Sequence, residues 1–401
     1  MPIVNHTNYP YLYSTEEVTK IEYRNNSGGY WAARNWHDGY NYWYCSVFYE
    51  KNTDEIDFLK LIPDNIINDE STFIVLCTEF EAFTNIVETI YKNIIQKLNI
   101  NPKKIILISE NADIVDVVKE VASSYNLSTI NVEWSVAHEV SLKKSGASIY
   151  DKFLPDTLLS QIHNSTVLEK KSYKKSFLNF NRRWRIHRPC FVGLLYSMKL
   201  LDKGFVSLGA SDDNLNWNNT FDTILKLIAE DSDMSSLLLE NKENLINLPN
   251  LYLDTTDLVT DRLSITYENI NHLDTIRLYE DSYFSIVSET YFFKTIGRTF
   301  TEKTFKPILY KHPFILMSNP NSLTLLKKLG YKTFHPFIDE SYDNETNNVK
   351  RLRMILNEVN RLSNLTESEL FEFIDKVKEI TIHNHNNLVN KPKFMHVHRI
   401  L

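Results

Sequence analysis

Short runs of consecutive apolar residues punctuate the first 135 positions: YWYCSVFYE (42–50), STFIVLC (71–77), KKIILIS (103–109) and STINVEW (128–134). A strand that stays apolar on both faces has to be covered on both faces, which is the condition of a buried parallel sheet. Between the runs, AFTNIVETIYKNIIQKL (82–98) and ADIVDVVKEVASSY (112–125) repeat their apolar residues at helical spacing. Strand, helix, strand in alternation is the grammar of an α/β fold. With only nine glycines, the regular elements are joined mainly by Asn- and Asp-rich turns.

A polar interval, DTLLSQIHNSTVLEKKSYKK (156–175), precedes a second series of the same kind. There KSFLNFN (175–181), SYFSIVSE (282–289) and HPFILMS (312–318) read as strands, with PCFVGLLYSMKLL (189–201), the segment from Phe300 to His312 and SLTLLKKLGY (322–331) as helices. Two tandem βαβ series predict two Rossmann-like domains facing a cleft, divided as 1–165 and 166–401. The charged helices NNVKRLRMILNEVNRL (347–362) and ESELFEFIDKVKEITI (367–382) pack on either.

A chain of 401 residues that is 43% hydrophobic can bury a large core, and a net charge of -7 gives no overall basic footprint for nucleic acid. No apolar run approaches the roughly 20 residues needed to cross a bilayer, and the opening MPIVNHTNYPYLYS has no basic region followed by an apolar core. Cys45, Cys77 and Cys190 are far apart and in no metal-ligand spacing. These features together predict a cytoplasmic protein with reduced thiols and no membrane insertion.

In open α/β sheets ligands bind beyond the carboxyl ends of the strands, and two such ends in the second half carry unusual chemistry. After KSFLNFN come Arg182, Arg183, Arg185, His187 and Arg188, then Pro189, a residue favoured at a helix start. Cations ahead of a helix N-terminus suit a phosphate; a basic loop paired with surface carboxylates is the alternative. The other end is the Thr301, Glu302, Lys303 triplet. Pro307 predicts a helix that either begins near Thr304 or is kinked. Thr299 and Glu302 also fit a capping box, in which the glutamate only satisfies a backbone donor. Set opposite the arginines, Glu302 can accept from sugar hydroxyls and Lys303 can meet a phosphate, and together they describe a clamp for a nucleoside diphosphate.

SYFSIVSET followed by FTEKTFKPILYKHPFI resembles the donor-binding motif of fucosyltransferase-like glycosyltransferases, and FLNFNRRWRIHRPCFVGLL is similar to their upstream arginine segment. The resemblance spans about 176–318 with a gap, and NPNSLTLLKKLGYKTFHPFIDESYD resembles bacterial and phage members more than eukaryotic ones. It implies a GT-B-type fold and inverting transfer from a nucleotide sugar. It further implies Glu302 on the nucleoside ribose, Lys303 and Arg188 on the phosphates, with Arg182, Arg185 and Thr301 beside them, and Glu289 lining the donor site. The strand ends in Ser-Glu-Thr where that family usually has Glu-Asn, which leaves the sugar open. The nucleotide sugar is a substrate, so no cofactor is expected; the acceptor is a glycan or, in the phage manner, a modified base in DNA, with Lys174 and Lys175 available to recruit it. A silent nucleotide-binding protein with this fold is the third alternative.

The transfer needs a general base on the first domain, near the carboxyl end of one of its strands. Glu79 after STFIVLCT and Glu110 after KKIILIS meet that condition, and Asp38, among the aromatic residues of YWAARNWHDGYNYWY (30–44), is a looser third. Glu79 ranks first because Phe80 and Phe83 offer apolar surroundings that raise a carboxyl pKa; Glu110, followed by Asn111 and Asp113, has the stronger alternative as a helix cap. No metal is expected. Asp231-Ser232-Asp233 forms a D-x-D in a helical context, and His383, His385, His396 and His398 form two H-x-H pairs of which the first reads as a solvated, turn-like tail.

Overall fold

The computed structural model describes residues 11–13, 41–46, 62, 64–78, 85–135, 173–181, 184–209, 217–249, 251, 253, 273–293, 297–390 and 397–399. They form an α/β structure with two mostly parallel sheets. The first contains β1 (Tyr11–Tyr13), β2 (Asn41–Ser46), β3 (Thr72–Thr78), β4 (Ile105–Ser109) and β5 (Asn131–Ser135), side by side in chain order. β2 to β5 are parallel, and β1 adds antiparallel at one edge.

Register explains the continuous apolar runs. Ile74 lies opposite Ile105 and Leu76 opposite Leu107, all facing one core with Val87, Ile90 and Ile94 of the helix begun by α1 (Asn85–Thr89) and with Ile114 and Val118 of α2 (Ile114–Ser124). Val75, Ile106 and Ile108 point to the other face and are buried as well. The central strand β4 is thus buried on both faces, as its apolar run requires.

The second sheet holds β6 (Lys175–Asn179), β7 (Gly204–Val206), β8 (Ser282–Ser288) and β9 (Phe314–Met317), all parallel, in the order β7-β6-β8-β9. From β6 the chain steps to β7 on one side and returns to β8 on the other. That reversal makes the carboxyl ends of β6 and β8 a topological switch point, the crevice in which open α/β sheets bind ligands. The first sheet has no such reversal among its described strands.

Every residue of β8 is buried, and ten of the eleven residues of α3 (His187–Ser197) are buried too. Phe177, Phe191, Phe284 and Ile315 join a core that also takes in α4 (Trp217–Leu227), α5 (Ser232–Glu240), α6 (Leu273–Glu280), α7 (Glu302–Leu309), α8 (Ser322–Lys328), α9 (Asn348–Ser363) and α10 (Glu367–Asn390). Each fully buried Leu, Ile or Phe side chain contributes roughly 1.5–3 kcal/mol, so this sheet is a firm platform for whatever its strand ends carry. After α10, strand β10 (Val397–Arg399) pairs antiparallel with β5 of the first sheet.

α10 overturns one expectation. Residues 383–390 continue the helix, and His385 is buried with its Nδ1 2.7 Å from the Leu309 carbonyl. His383 bonds the Gly330 carbonyl instead. Two residues apart on a helix means about 200° of rotation, so the rings diverge and the first H-x-H pair cannot close on one metal. His396 lies outside the described residues, and of His398 only its place in β10 is described.

Candidate functional site

At the switch point the ends of β6 and β8 are tied by buried amides. Asn179 Nδ2 donates to the Ile286 carbonyl at 2.7 Å and to Ser288 Oγ at 3.0 Å, and Asn181 Nδ2 donates to Asn179 Oδ1. The first turn of α3 docks on the same place. Arg188 Nη2 donates to the carbonyls of Ser288 and Glu289 at 3.0 and 3.2 Å, and His187 Nε2 lies 2.9 Å from the Glu289 carbonyl. A carbonyl only accepts, so His187 carries its proton on Nε2.

α7 starts from the same residue. The Glu289 carboxylate, wholly buried, accepts through Oε1 from the Thr301 backbone N–H at 3.0 Å and from Thr304 Oγ1 at 2.5 Å. Through Oε2 it accepts from Thr301 Oγ1 at 2.7 Å and from the Thr290 N–H at 3.3 Å. Four donors fill the capacity of a carboxylate. Thr301 is the N-cap of α7 and accepts from the Lys303 N–H; the helix runs through Pro307 from Glu302, not from Thr304. The capping box of Thr299 and Glu302 does not form in this register. Glu289, at a distance of twelve and fifteen residues along the chain, anchors the helix start instead.

Glu302 and Lys303 occupy the first turn as an ion pair, Nζ to Oε1 2.8 Å, with Nζ also 3.2 Å from Thr301 Oγ1. The Lys303 side chain is about a quarter exposed, Arg185 is exposed and Arg188 is buried. All three act on His187. Burial pushes its pKa well below the usual histidine value, and the positive charges of Arg188, Arg185 and Lys303 add to the depression against the Glu289 carbonyl bond that opposes it. A buried, neutral histidine is thus ringed by the cations that the sequence marked as phosphate contacts. Arg182 and Arg183 lie outside the described residues.

A residue that motif reasoning missed braces the turn after β8. Arg351 of α9, almost fully buried, donates from Nη2 to the Phe292 carbonyl at 2.9 Å, and its guanidinium lies 4.4 Å from the centre of the Phe292 ring. Phe292 in turn packs on His187, ring centres 5.8 Å apart. Burial pushes the Arg351 pKa down to about 10. Its only sequence signal is an arginine on the apolar stripe of a helix.

On the first sheet, Glu110 follows β4, is buried, and has its carbonyl 3.3 Å from Trp134 Nε1. Asn111 closes the turn into α2: its Oδ1 accepts from the Asp113 N–H and its carbonyl from the Ile114 N–H. Ala112 N–H donates to the Arg298 carbonyl at 2.9 Å, which brings the end of β4 against the segment leading into α7. Glu79 and Asp38 lie outside the described residues.

The other constellations have structural partners. Asp231 caps α5 by accepting from the Met234 N–H and is paired with Arg353, which also reaches Asp233. Lys174 pairs with Asp281, and Lys175 donates to the Asp202 carbonyl. Among the described residues no cluster of three His, Cys, Asp or Glu could hold a metal ion, and no helix is long and apolar enough to cross a membrane.

No protein-family model matches the chain, and no curated protein matches it. Among solved structures it is similar to that of a mutant of S. aureus TarM in complex with Fondaparinux, alpha-GlcNAc-glycerol and UDP, at 15% identity and a TM-score of 0.30. The match covers 81% of this chain and 52% of that one, so the chain spans about half the length of that structure. At that similarity the likeness carries no weight for the chemistry, which rests on the site itself.

Proposed function

We propose that the protein is a glycosyltransferase that moves a sugar from a nucleotide-sugar donor to an acceptor hydroxyl, built as a GT-B-like pair of Rossmann-like domains. The observation that carries this reading is the gathering of two helix N-termini, α3 and α7, with Arg185, Arg188 and Lys303 around neutral His187 at the topological switch point. The positive end of a helix dipole and nearby cations are the two ingredients of a diphosphate site. Glu302, beside Lys303, supplies acceptor oxygens for the hydroxyls of a ribose. As the bond to the sugar breaks, negative charge grows on the departing diphosphate, and fixed positive groups stabilise it without a metal.

In this reading residues 166–401 hold the donor and 1–165 the acceptor, a glycan, with a carboxylate of the first half taking the acceptor proton and the transfer inverting at the sugar. Glu289 serves by positioning α7, since its oxygens are filled.

Calorimetric titration with nucleoside diphosphates and their sugars, followed by assay of slow donor hydrolysis, tests the proposal. Binding in the micromolar range with hydrolysis that survives a chelator is the expected outcome. Failure of every nucleotide to bind would refute the reading, and binding with no hydrolysis at all would mark a silent nucleotide-binding protein.

A further inference from the structure

We propose that Asp113 and Arg298 are positioning residues that set the distance between the first-sheet acid Glu110 and the donor helix α7, a role that rests on the glycosyl-transfer reading above. Arg298 donates its backbone N–H to Asp113 Oδ2 at 2.8 Å, and its Nε lies 3.1 and 3.2 Å from the two carboxylate oxygens. Nη2 adds a further bond to Oδ1, while Nη1 reaches the Asn321 carbonyl ahead of α8 at 3.3 Å. One side chain therefore ties the end of β4 to the lead-in of α7 and to the start of α8. An arginine fork on a carboxylate fixes orientation as well as distance.

Asp113 makes this contact in place of a local one. It stands at the N-cap of α2, where an aspartate ordinarily accepts from its own helix, yet it forms no side-chain cap bond there. Burial works to raise its pKa and the bonds and charge of Arg298 outweigh that, leaving the carboxyl below its ordinary value.

The next residue back makes the contact close. A Cβ on Gly297 would fall 1.6 Å from Asn111 Oδ1, so any side chain there would have to displace the buried Asn111 amide. Asn111 is fully buried, and its Nδ2 has no hydrogen-bond partner among the described residues. Asp113 is three positions along the chain from Glu110, and Arg298 three positions from the N-cap Thr301. A three-residue stretch spans at most about 10 Å, so both ends of the proposed reaction are tethered closely to one contact.

The test uses the full chain and two variants, Asp113→Asn and Arg298→Lys, with the charge swap Asp113→Arg/Arg298→Asp as the rescue. Turnover in each single variant is expected to fall tenfold or more while nucleotide affinity stays within twofold, and the swap is expected to recover part of the loss. Spin labels at Lys119→Cys and Lys327→Cys, in a Cys45→Ser/Cys77→Ser background, report the spacing of α2 and α8 without reference to catalysis. Their distance distribution should broaden in both single variants. An unchanged distribution overturns the proposal, as does a broadened one with normal turnover. A wild-type chain that binds no nucleotide removes the glycosyl-transfer reading and the positioning role with it, and the label distances then still report whether the contact holds the two sheets.

Discussion

Arg188 and Glu289 are joined through the main chain: the guanidinium donates to the Glu289 carbonyl at 3.2 Å, and the carboxylate of the same glutamate holds the start of α7. The arginine segment and the Thr-Glu-Lys segment, more than a hundred residues apart, thereby share one anchor. Disturbing Glu289 should move the cations of both.

Glu289→Gln puts an amide where four donors point. At least one donor then faces another donor, and hydrogen bonds to a charged acceptor of about 1.5–3 kcal/mol each are weakened or lost. A fall in unfolding free energy of about 3 kcal/mol is expected from urea titration, together with weaker nucleotide binding. A midpoint equal to wild type would show that the carboxylate does not anchor the helix.

Lys303 and Arg188 should separate when each is changed to Ala. Lys303 is partly exposed and, among the described residues, its Nζ bonds its neighbours in the first turn, so its loss should weaken nucleotide affinity roughly tenfold to a hundredfold and leave stability near wild type. Arg188 is buried and grips two carbonyls, so its loss should lower both. Calorimetry and thermal unfolding on the same samples check the contrast; equal stability in the two variants contradicts the structural part of it.

The strands were legible because an unbroken apolar run such as IILIS has only one comfortable setting, a sheet covered on both faces. The arginine cluster near a helix start was legible, although α3 begins at His187, two residues before Pro189, so that Arg188 lies in its first turn and not ahead of it. Three things were not. The strand order that creates the switch point is a property of long-range pairing and leaves no local pattern. The anchoring role of Glu289 is a contact across twelve to fifteen residues. The last two turns of α10 contain NHNNLVN, poor in helix formers, and are held by distant partners: Asn384 accepts from the Lys332 N–H at 2.7 Å and donates to its carbonyl at 2.8 Å. Tertiary bonds there override a weak local preference.

His312 should govern part of the acid limb of stability. It is buried between Ser285 Oγ, 2.8 Å from Nδ1, and the Ser282 carbonyl, 2.8 Å from Nε2, and burial pushes its pKa down to about 4 against the hydrogen bonds that favour the charged ring. The unfolded chain takes up a proton near pH 6.5, where the folded one does not. The stability of the neutral site is complete above about pH 6.5 and drains as the pH falls toward 4, by about 3 kcal/mol in all. His187 acts in the same direction. Unfolding free energies of His312→Gln measured from pH 7 to pH 4 should decline less steeply than those of wild type, and parallel curves would remove His312 from the account.

In the glycosyl-transfer reading the general base is the remaining choice, and the fold gives Glu110 an argument that its sequence did not. Its alternative was to cap α2, but Asn111 closes that turn, and the backbone two residues on is bonded to the segment leading into α7. Glu110 thus stands, buried, on the strand end that abuts the lead-in of α7, the donor helix of the proposed reading. Changing it to Gln keeps the shape and removes the basicity, so turnover should fall about a hundredfold or more while nucleotide affinity stays intact. Glu79→Gln, just past the neighbouring strand β3 in the chain, is the matched comparison. Loss in Glu79→Gln alone would restore the ranking drawn from Phe80 and Phe83, and normal turnover in both variants would place the base elsewhere, with Asp38 the next residue to change.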